Sequence, residues 1–567
     1  MTRPLTLAVF LLSALLLASA QPSAPPANAP SIAGMVVKEP GSQPLKKVLV
    51  QIVAEDQKQG GNYTASTDAD GRFRIDNMSP GRYRIFFEKA GFVGVNGRGL
   101  KSDVNVVTVR PGQSAEDILF RMLPTAVISG RITDEDGDPM SSVRVVALKK
   151  VPGKNLREGA GTEATNDLGE YRLAGLFPGQ YWIVAMPAPD FRDYEQQHEK
   201  SIEGDKQSEA RPDTRYVTTY YPGTFDAAQA TAVTLKAGDE MPVNLTLVPA
   251  RTYRVRGIVS ALKAGQKAAV DLVSKSGDSI RAGEVASDGQ FEVRGVAPGT
   301  YTVGASSLGA DSQLLTARQE ISVVAADIDG VKLLPQPSFT LAGHLRLEGN
   351  PSEDLTQYTV NLRQAEVPPD PGLFMSQDFF GTNATVDRLG NFDWKNVTPG
   401  AYIVQVYGTG LGNSFLKSVK LGGRDVESGF TASGPAALDL LLSSKGGTIE
   451  GAVLEKAAEK ANDDNPDDGN NDHPVANATV VAVPEEKYRK LPDRFGLGSS
   501  DQHGHFTIRG LAPGSYTLYA WQDLEDGVWH DPDFLKSQEA NGKTVKVEED
   551  AHQQVELKLS STGEDWR

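Results

Sequence analysis

A phrase of fixed internal spacing occurs five times in this chain, and no other feature limits its fold as strongly. Gly71, Phe73, Pro80, Gly81 and Tyr83 recur as Gly169, Tyr171, Pro178, Gly179 and Tyr181, and again as Gly289, Phe291, Pro298, Gly299 and Tyr301. The fourth and fifth copies are Gly390, Phe392, Pro399, Gly400 and Tyr402, then Gly504, Phe506, Pro513, Gly514 and Tyr516. In every copy the aromatic follows the first glycine by two positions, the proline by nine and the tyrosine by twelve. Successive first glycines lie 98 to 120 residues apart. A solenoid repeat takes roughly 20–50 residues and a whole sandwich domain about 100, so each copy is read as one domain.

Within the phrase, Phe506 and Ile508 alternate with His505, Thr507 and Arg509, the period of a strand with one buried face. Asp501, and with it Asp387, Asp288 and Asp70, supplies turn chemistry together with the glycine that follows. Pro513-Gly514 fits the central positions of a type II turn, and Tyr516 and Leu518 resume the alternation as a second strand. The P-G-x-Y element is also similar to a tyrosine corner, whose hydroxyl bonds the backbone across the turn. Before each phrase runs a strand with a glycine in its middle, at Gly34, Gly130, Gly257, Gly343 and Gly451, a sign of a bulge or a close backbone contact. After the phrase, segments such as Val107 to Val109 with Ile118 to Leu123, and Val545 to Val547 with Val555 to Leu559, read as a closing pair of strands. The expected fold is all-β, five tandem Greek-key (immunoglobulin-like or prealbumin-like) β-sandwich domains after a signal peptide.

The glycine strand, the D-x-x-G-x-[FY]-x-[ILV] strand and the P-G-x-Y turn together resemble the carboxypeptidase regulatory-like domain, related to transthyretin-like and collagen-adhesin B-type repeats. The resemblance covers essentially the whole mature chain, expected to begin at Gln21. It implies a carbohydrate-binding-like fold found as accessory units, adhesin repeats and sugar-binding modules, and it fixes no function. Tyr220-Tyr221-Pro222-Gly223 and the stretch from Trp521 to Phe534 resemble segments of long exported bacterial proteins of this type.

Residues 1–20 read as a secretory signal peptide, with Arg3 before the apolar run Leu5 to Leu17 and a small-residue cleavage site at Ala18-Ser19-Ala20. Residues 21–30 are a proline- and alanine-rich tether. The expected sandwiches are 31–125, 126–250 with a polar insertion near 189–221, 251–337, 338–445 and 446–567. No later run has the roughly 18 apolar residues of a spanning helix, so no membrane span is expected after signal removal. The chain is thus expected to be exported, whether periplasmic, extracellular or at the cell surface. It has no cysteine, and its net charge of −16 with no basic cluster argues against nucleic acid as a partner.

Catalytic machinery is not legible. None of the seven histidines begins a His-x-x-Glu pair, and no nucleophile elbow, phosphate loop or dinucleotide fingerprint occurs. No enzyme activity, no cofactor and no metal are expected. His503 and His505 could share a metal at period two, but other copies carry Arg72, Glu170, Gln290 and Asn391 at position 505, which makes it an exposed strand position. Asp134 to Asp138 and the run Asp463 to Asp472 read either as turn and solvated loop or as calcium ligands. Trp394 replaces Ile75, Leu173, Val293 and Ile508 of the other copies and belongs to a core. Tyr519 and Trp521 point away from the core face, and Trp529 lies in the excursion that follows. They form either a stacking platform for sugar or a face covered by a short helix starting at Asp531-Pro532 and stopping near Asn541-Gly542. Trp182 is a parallel case beside the polar insertion. Two functions follow: a non-enzymatic structural, spacer or interaction module, or a polysaccharide binder using Tyr519, Trp521 and Trp529. The partner would be another envelope protein or a polysaccharide.

Overall fold

The computed structural model describes residues 30–55, 60–94, 105–150, 157–187, 213–263, 265–274, 279–309, 313–349, 354–365, 383–408, 411–455, 472–522, 524–525 and 527–561. The expected signal peptide and nearly all of the expected tether, most of the polar insertion and the acidic run up to residue 471 lie outside them. Among the described residues ten sheets form five facing pairs. Each pair encloses its own cluster of buried apolar side chains. The chain is all-β, with one short α-helix, Pro532–Gln538, among the described residues.

One plan serves every pair. In the fifth unit the first strand, Gly447–Glu455, lies between the phrase strand His505–Leu511, antiparallel to it, and the last strand His552–Lys558, parallel to it. The facing sheet runs Gly496–Ser499, Thr479–Pro484, Gly514–Trp521, Lys543–Val547, antiparallel throughout. In the first unit Ile32–Lys38 lies between Arg72–Ile75 and Ala115–Pro124, and Gly81–Glu88 between Leu49–Ala54 and Asn105–Val109. The first strands of the other units pair in the same two ways. This is the prealbumin-like Greek-key order. The expected closing pair is therefore no hairpin: Asn105–Val109 joins the tyrosine strand, and Ala115–Pro124 crosses to the first strand. Both strands put apolar residues toward one core, which they reach from opposite sides. Five residues at about 3.3 Å each span the roughly 10 Å between facing sheets.

The glycine of each first strand answers to crowding. A β-carbon on Gly130 would stand 1.9 Å from the carbonyl oxygen of Val243, in the break between the parallel segments Glu240–Pro242 and Leu245–Thr246, and one on Gly451 1.8 Å from that of Val555 on the last, parallel strand. The phrase aromatic, Tyr171 or Phe506, closes the other side at 3.0 Å. Gly451→Ala should therefore force the parallel pair apart and cost about 1–3 kcal/mol, the usual range for overpacking. Gly434→Ala, in open space, should cost nothing measurable. Equal losses in chemical denaturation would show that the close approach is not what selects glycine.

Two turns differ from expectation. Gly514 does not sit in a type II turn but opens the strand Gly514–Trp521, and Gly81, at φ 159°, opens Gly81–Glu88 in nearly extended backbone. Gly179, at φ 148°, holds backbone that an L side chain rarely adopts, and only at Gly299 would a β-carbon crowd the tyrosine ring two residues on, at 3.3 Å; at Gly400 and Gly514 the gap to that ring is an ordinary contact of 3.5 and 3.8 Å. Folded back, all five tyrosines donate to the carbonyl four residues earlier, Tyr83 to Ser79 at 2.6 Å and Tyr516 to Ala512 at 2.9 Å. The tyrosine corner is thus present in every unit. The aspartate turn is also shifted. Asp68, Asn166, Asp387 and Asp501 each accept from the N–H groups two and four residues ahead, whereas Asp70 is itself one of the donors. In the third unit Ala286 holds that place, and Asp288 accepts from Gln290. The first glycine of the phrase then takes the left-handed conformation that completes the turn, at φ 77° for Gly504.

The polar insertion contributes a strand to its neighbour. Asp213–Arg215 pairs antiparallel with residues Ala250 to Thr252, where the first strand of the third unit begins.

Candidate functional site

On the strand Gly514–Trp521 the alternation sends Tyr516, Leu518 and Ala520 into the fifth core and leaves Tyr519 and Trp521 on the opposite face. That face carries a second cluster, formed with Val481, Val483, Phe495, Leu524, Val528, Trp529, Phe534 and Leu535. The two rings stack at 5.1 Å with 10° between their planes, and Phe534 leans on Trp521 at 5.4 Å. Phe534 arrives on the helix Pro532–Gln538, started by Asp531, whose carboxylate accepts from the N–H groups of Asp533 and Phe534, with proline in the first turn. The other end of the helix supplies Gln538, whose side-chain oxygen accepts from Trp521 Nε1 at 3.1 Å. Tyr519, Trp521 and Trp529 are 4%, 0% and 4% exposed. Burial also raises the Tyr519 hydroxyl above its ordinary pKa. The three candidate residues are brought together, but no ring face is open to a sugar: the excursion lies over them as a lid of the chain's own.

The second unit repeats the arrangement. Half-buried Trp182 packs with Val146, Leu148, Val184 and Tyr220, and residues Ala227 and Ala230 cover the same outer face. Trp394 is wholly enclosed in the fourth core, where its Nε1 donates to the carbonyl of Val360 at 3.0 Å. His503 and His505 are exposed, and their backbone N–H groups close the Asp501 turn. Asp134 likewise accepts from Asp136 and Asp138, and Tyr216 donates to Glu135 at 2.7 Å. One recurring polar feature escaped the sequence reading: Thr67, Thr165 and Ser500, each just before the turn residue, are buried. Their hydroxyls accept from Val48, Val143 and Ala478 and donate to the carbonyls of Leu45, Met140 and Val475. A hydroxyl residue immediately before the aspartate or asparagine in three copies was the available signal.

The fourth and fifth units are clamped at their junction. Asn413 accepts from Gly510 N–H at 2.9 Å and from Thr448 Oγ1 at 3.3 Å, and its amide donates to the Gly446 carbonyl. Arg494 of the fifth unit pairs with Glu427 and donates to the Leu416 carbonyl at 3.3 Å, and burial lowers its pKa. Lys417 bridges Glu348 at 2.7 Å and Glu549 at 2.8 Å. Hydrogen bonds to those two carboxylates raise the Lys417 pKa, and the same contact lowers that of Glu348. Across this junction the polar groups serve cohesion.

Residues 31–122 and 127–248 match the carboxypeptidase regulatory-like domain family, so the resemblance read from the sequence holds for the first two units. Comparison with curated proteins finds no match. Among solved structures, the TIE protein of Bacillus anthracis aligns at 12% identity over 55% of this chain and 51% of its own, with a TM-score of 0.17. The minor pilin GBS52 of Streptococcus agalactiae aligns at 14% identity over 39% of this chain and 96% of its own, with a TM-score of 0.21. The major pilin subunit BcpA of Bacillus cereus aligns at 11% identity over 56% of this chain and 99% of its own, with a TM-score of 0.14. These scores are low, and the assignment of fold rests on the sheets themselves.

Proposed function

We propose that this chain is an exported, non-enzymatic structural module, a series of rigid sandwiches that spaces or displays other components in the periplasm or at the cell surface. One observation supports this above the rest: what the five copies repeat is accounted for by backbone geometry. The strand glycine admits the last strand, the turn residue and its glycine close the loop, and the tyrosine ties its own corner. The recurring hydroxyl of three units is spent on backbone as well. A module that repeated a ligand site would repeat side chains left over after folding. The partner suited to this role is another envelope protein.

The test expresses the full chain and fractionates the cells. It should be recovered outside the cytoplasm beginning at Gln21, without turnover of peptide, ester or glycoside substrates. Retention in the cytoplasm with residues 1–20 attached would overturn export, and turnover above the buffer rate would overturn the structural assignment.

A further inference from the structure

The turn residue of the phrase is exposed at Asp68, Asn166 and Asp387, but Asp501 is 2% exposed. Its Oδ1 does what the others do, accepting from the N–H groups of His503 and His505. Its Oδ2 accepts from the hydroxyl of Thr108, in the first unit, at 2.6 Å. The next residue, Gln502, addresses both backbone groups of Thr108: Oε1 accepts from its N–H at 3.0 Å, and Nε2 donates to its carbonyl at 2.8 Å. Thr108 lies on Asn105–Val109, the outermost strand of its sheet, so the carboxamide stands where the peptide group of a neighbouring strand would stand. Arg82, from the adjacent tyrosine strand, completes the contact by donating to the Ser499 carbonyl at 3.4 Å.

A second contact reaches the second unit. Lys149 pairs with Glu525, and Lys150 Nζ lies 3.7 Å from Asp531 Oδ2. Asp531 divides its oxygens as Asp501 does, since its Oδ1 caps the helix that covers Trp521. Both aspartates use one oxygen to shape the fifth unit and the other to hold an earlier unit.

We propose that this face of the fifth unit is a docking surface whose partner is the first two units of the same chain, and that it closes the five sandwiches into a ring through a reversible polar clasp. A tethered partner is present at high effective concentration, which makes a few polar contacts sufficient. Their ionic character makes them sensitive to salt, and an interface without a large apolar core permits the units to separate. The inference goes beyond the spacer role, because a chain that never closed would still space its units.

The chain has no cysteine, so an introduced pair reports cleanly. Lys149 and Glu525 meet through the tips of two long side chains, beyond the reach of a disulfide, so Lys149→Cys with Glu525→Cys, treated in the full chain at low protein concentration with a short bis-maleimide, should link the two thiols within one chain. Cross-linked dimers would place the contact between copies and overturn closure, as would a folded monomer that stays unlinked. In small-angle scattering, Gln502→Ala combined with Thr108→Val should increase the maximum dimension of the otherwise wild-type chain, as should about 1 M salt, where the Debye length falls to about 3 Å. Dimensions unchanged by both, with the units still folded by circular dichroism, would overturn the clasp.

Discussion

Trp521→Ala should destabilise the fifth unit by about 3–5 kcal/mol, the range for deleting a buried large aromatic. The indole is enclosed, stacked on Tyr519 and capped by Phe534, so truncation leaves a cavity between sheet and helix rather than a dent in the surface. It also removes the shorter of two hydrogen bonds to the buried Gln538 oxygen, the other being from Asn541 at 3.4 Å. A five-unit chain does not melt in one step, so the loss is best followed by hydrogen exchange read unit by unit. Protection should fall first in Pro532–Gln538 and then in Gly514–Trp521. Trp521→Phe should recover much of it, lacking only the hydrogen bond and part of the ring. If protection stayed intact while retention on an insoluble polysaccharide disappeared, the covered face would have to be an open one, and the sugar-binding function would replace the structural one.

Trp394→Ala should cost about as much, roughly 3–5 kcal/mol, but in the fourth unit. Its ring meets Phe392 edge to face at 4.9 Å and fills space that an isoleucine, leucine or valine fills in the other units. Trp394→Phe separates the two contributions, because it keeps most of the apolar contact and removes only the indole hydrogen bond to the Val360 carbonyl, whose residue stays paired with Ala384 in the sheet, at a cost of about 0.5–1.5 kcal/mol. The five cores share no residue, so exchange in the first three units should not change. Uniform loss of protection along the chain would contradict independent cores.

The strands were legible because their signals are local. Period-two burial, the glycine in each first strand and the P-G-x-Y corner all lie within a dozen residues, and they marked five sandwiches and put Trp394 in a core. Asp531-Pro532 announced its helix in the same way. Reasoning from the dipeptide Pro-Gly alone failed, because the glycine opens the tyrosine strand instead of filling a turn position. The closing strands were misread as a pair, because adjacency in sequence says nothing about which sheet a strand will join. Asp501 illustrates the remaining limit. One of its oxygens serves a turn visible in the phrase, while the other meets Thr108 across 393 residues, and no pattern in the sequence carries that distance. Whether an outward Trp521 is a platform or a floor likewise depends on Phe534 and Gln538, which a different local pattern places above it.

The parallel pairing of first and last strands sets how such a chain responds to tension. The chain enters a unit at the start of its first strand and leaves at the end of its last, and in a parallel pair these points lie at opposite ends of the ladder. Pulling them apart slides one strand along the other, so the ladder's hydrogen bonds are strained together instead of opening one by one from an end. Forced unfolding is governed by the rate of crossing the unfolding barrier rather than by equilibrium stability. Under a pull on its two termini, each sandwich would therefore yield in shear, with the strand glycines setting how closely the sliding surfaces fit.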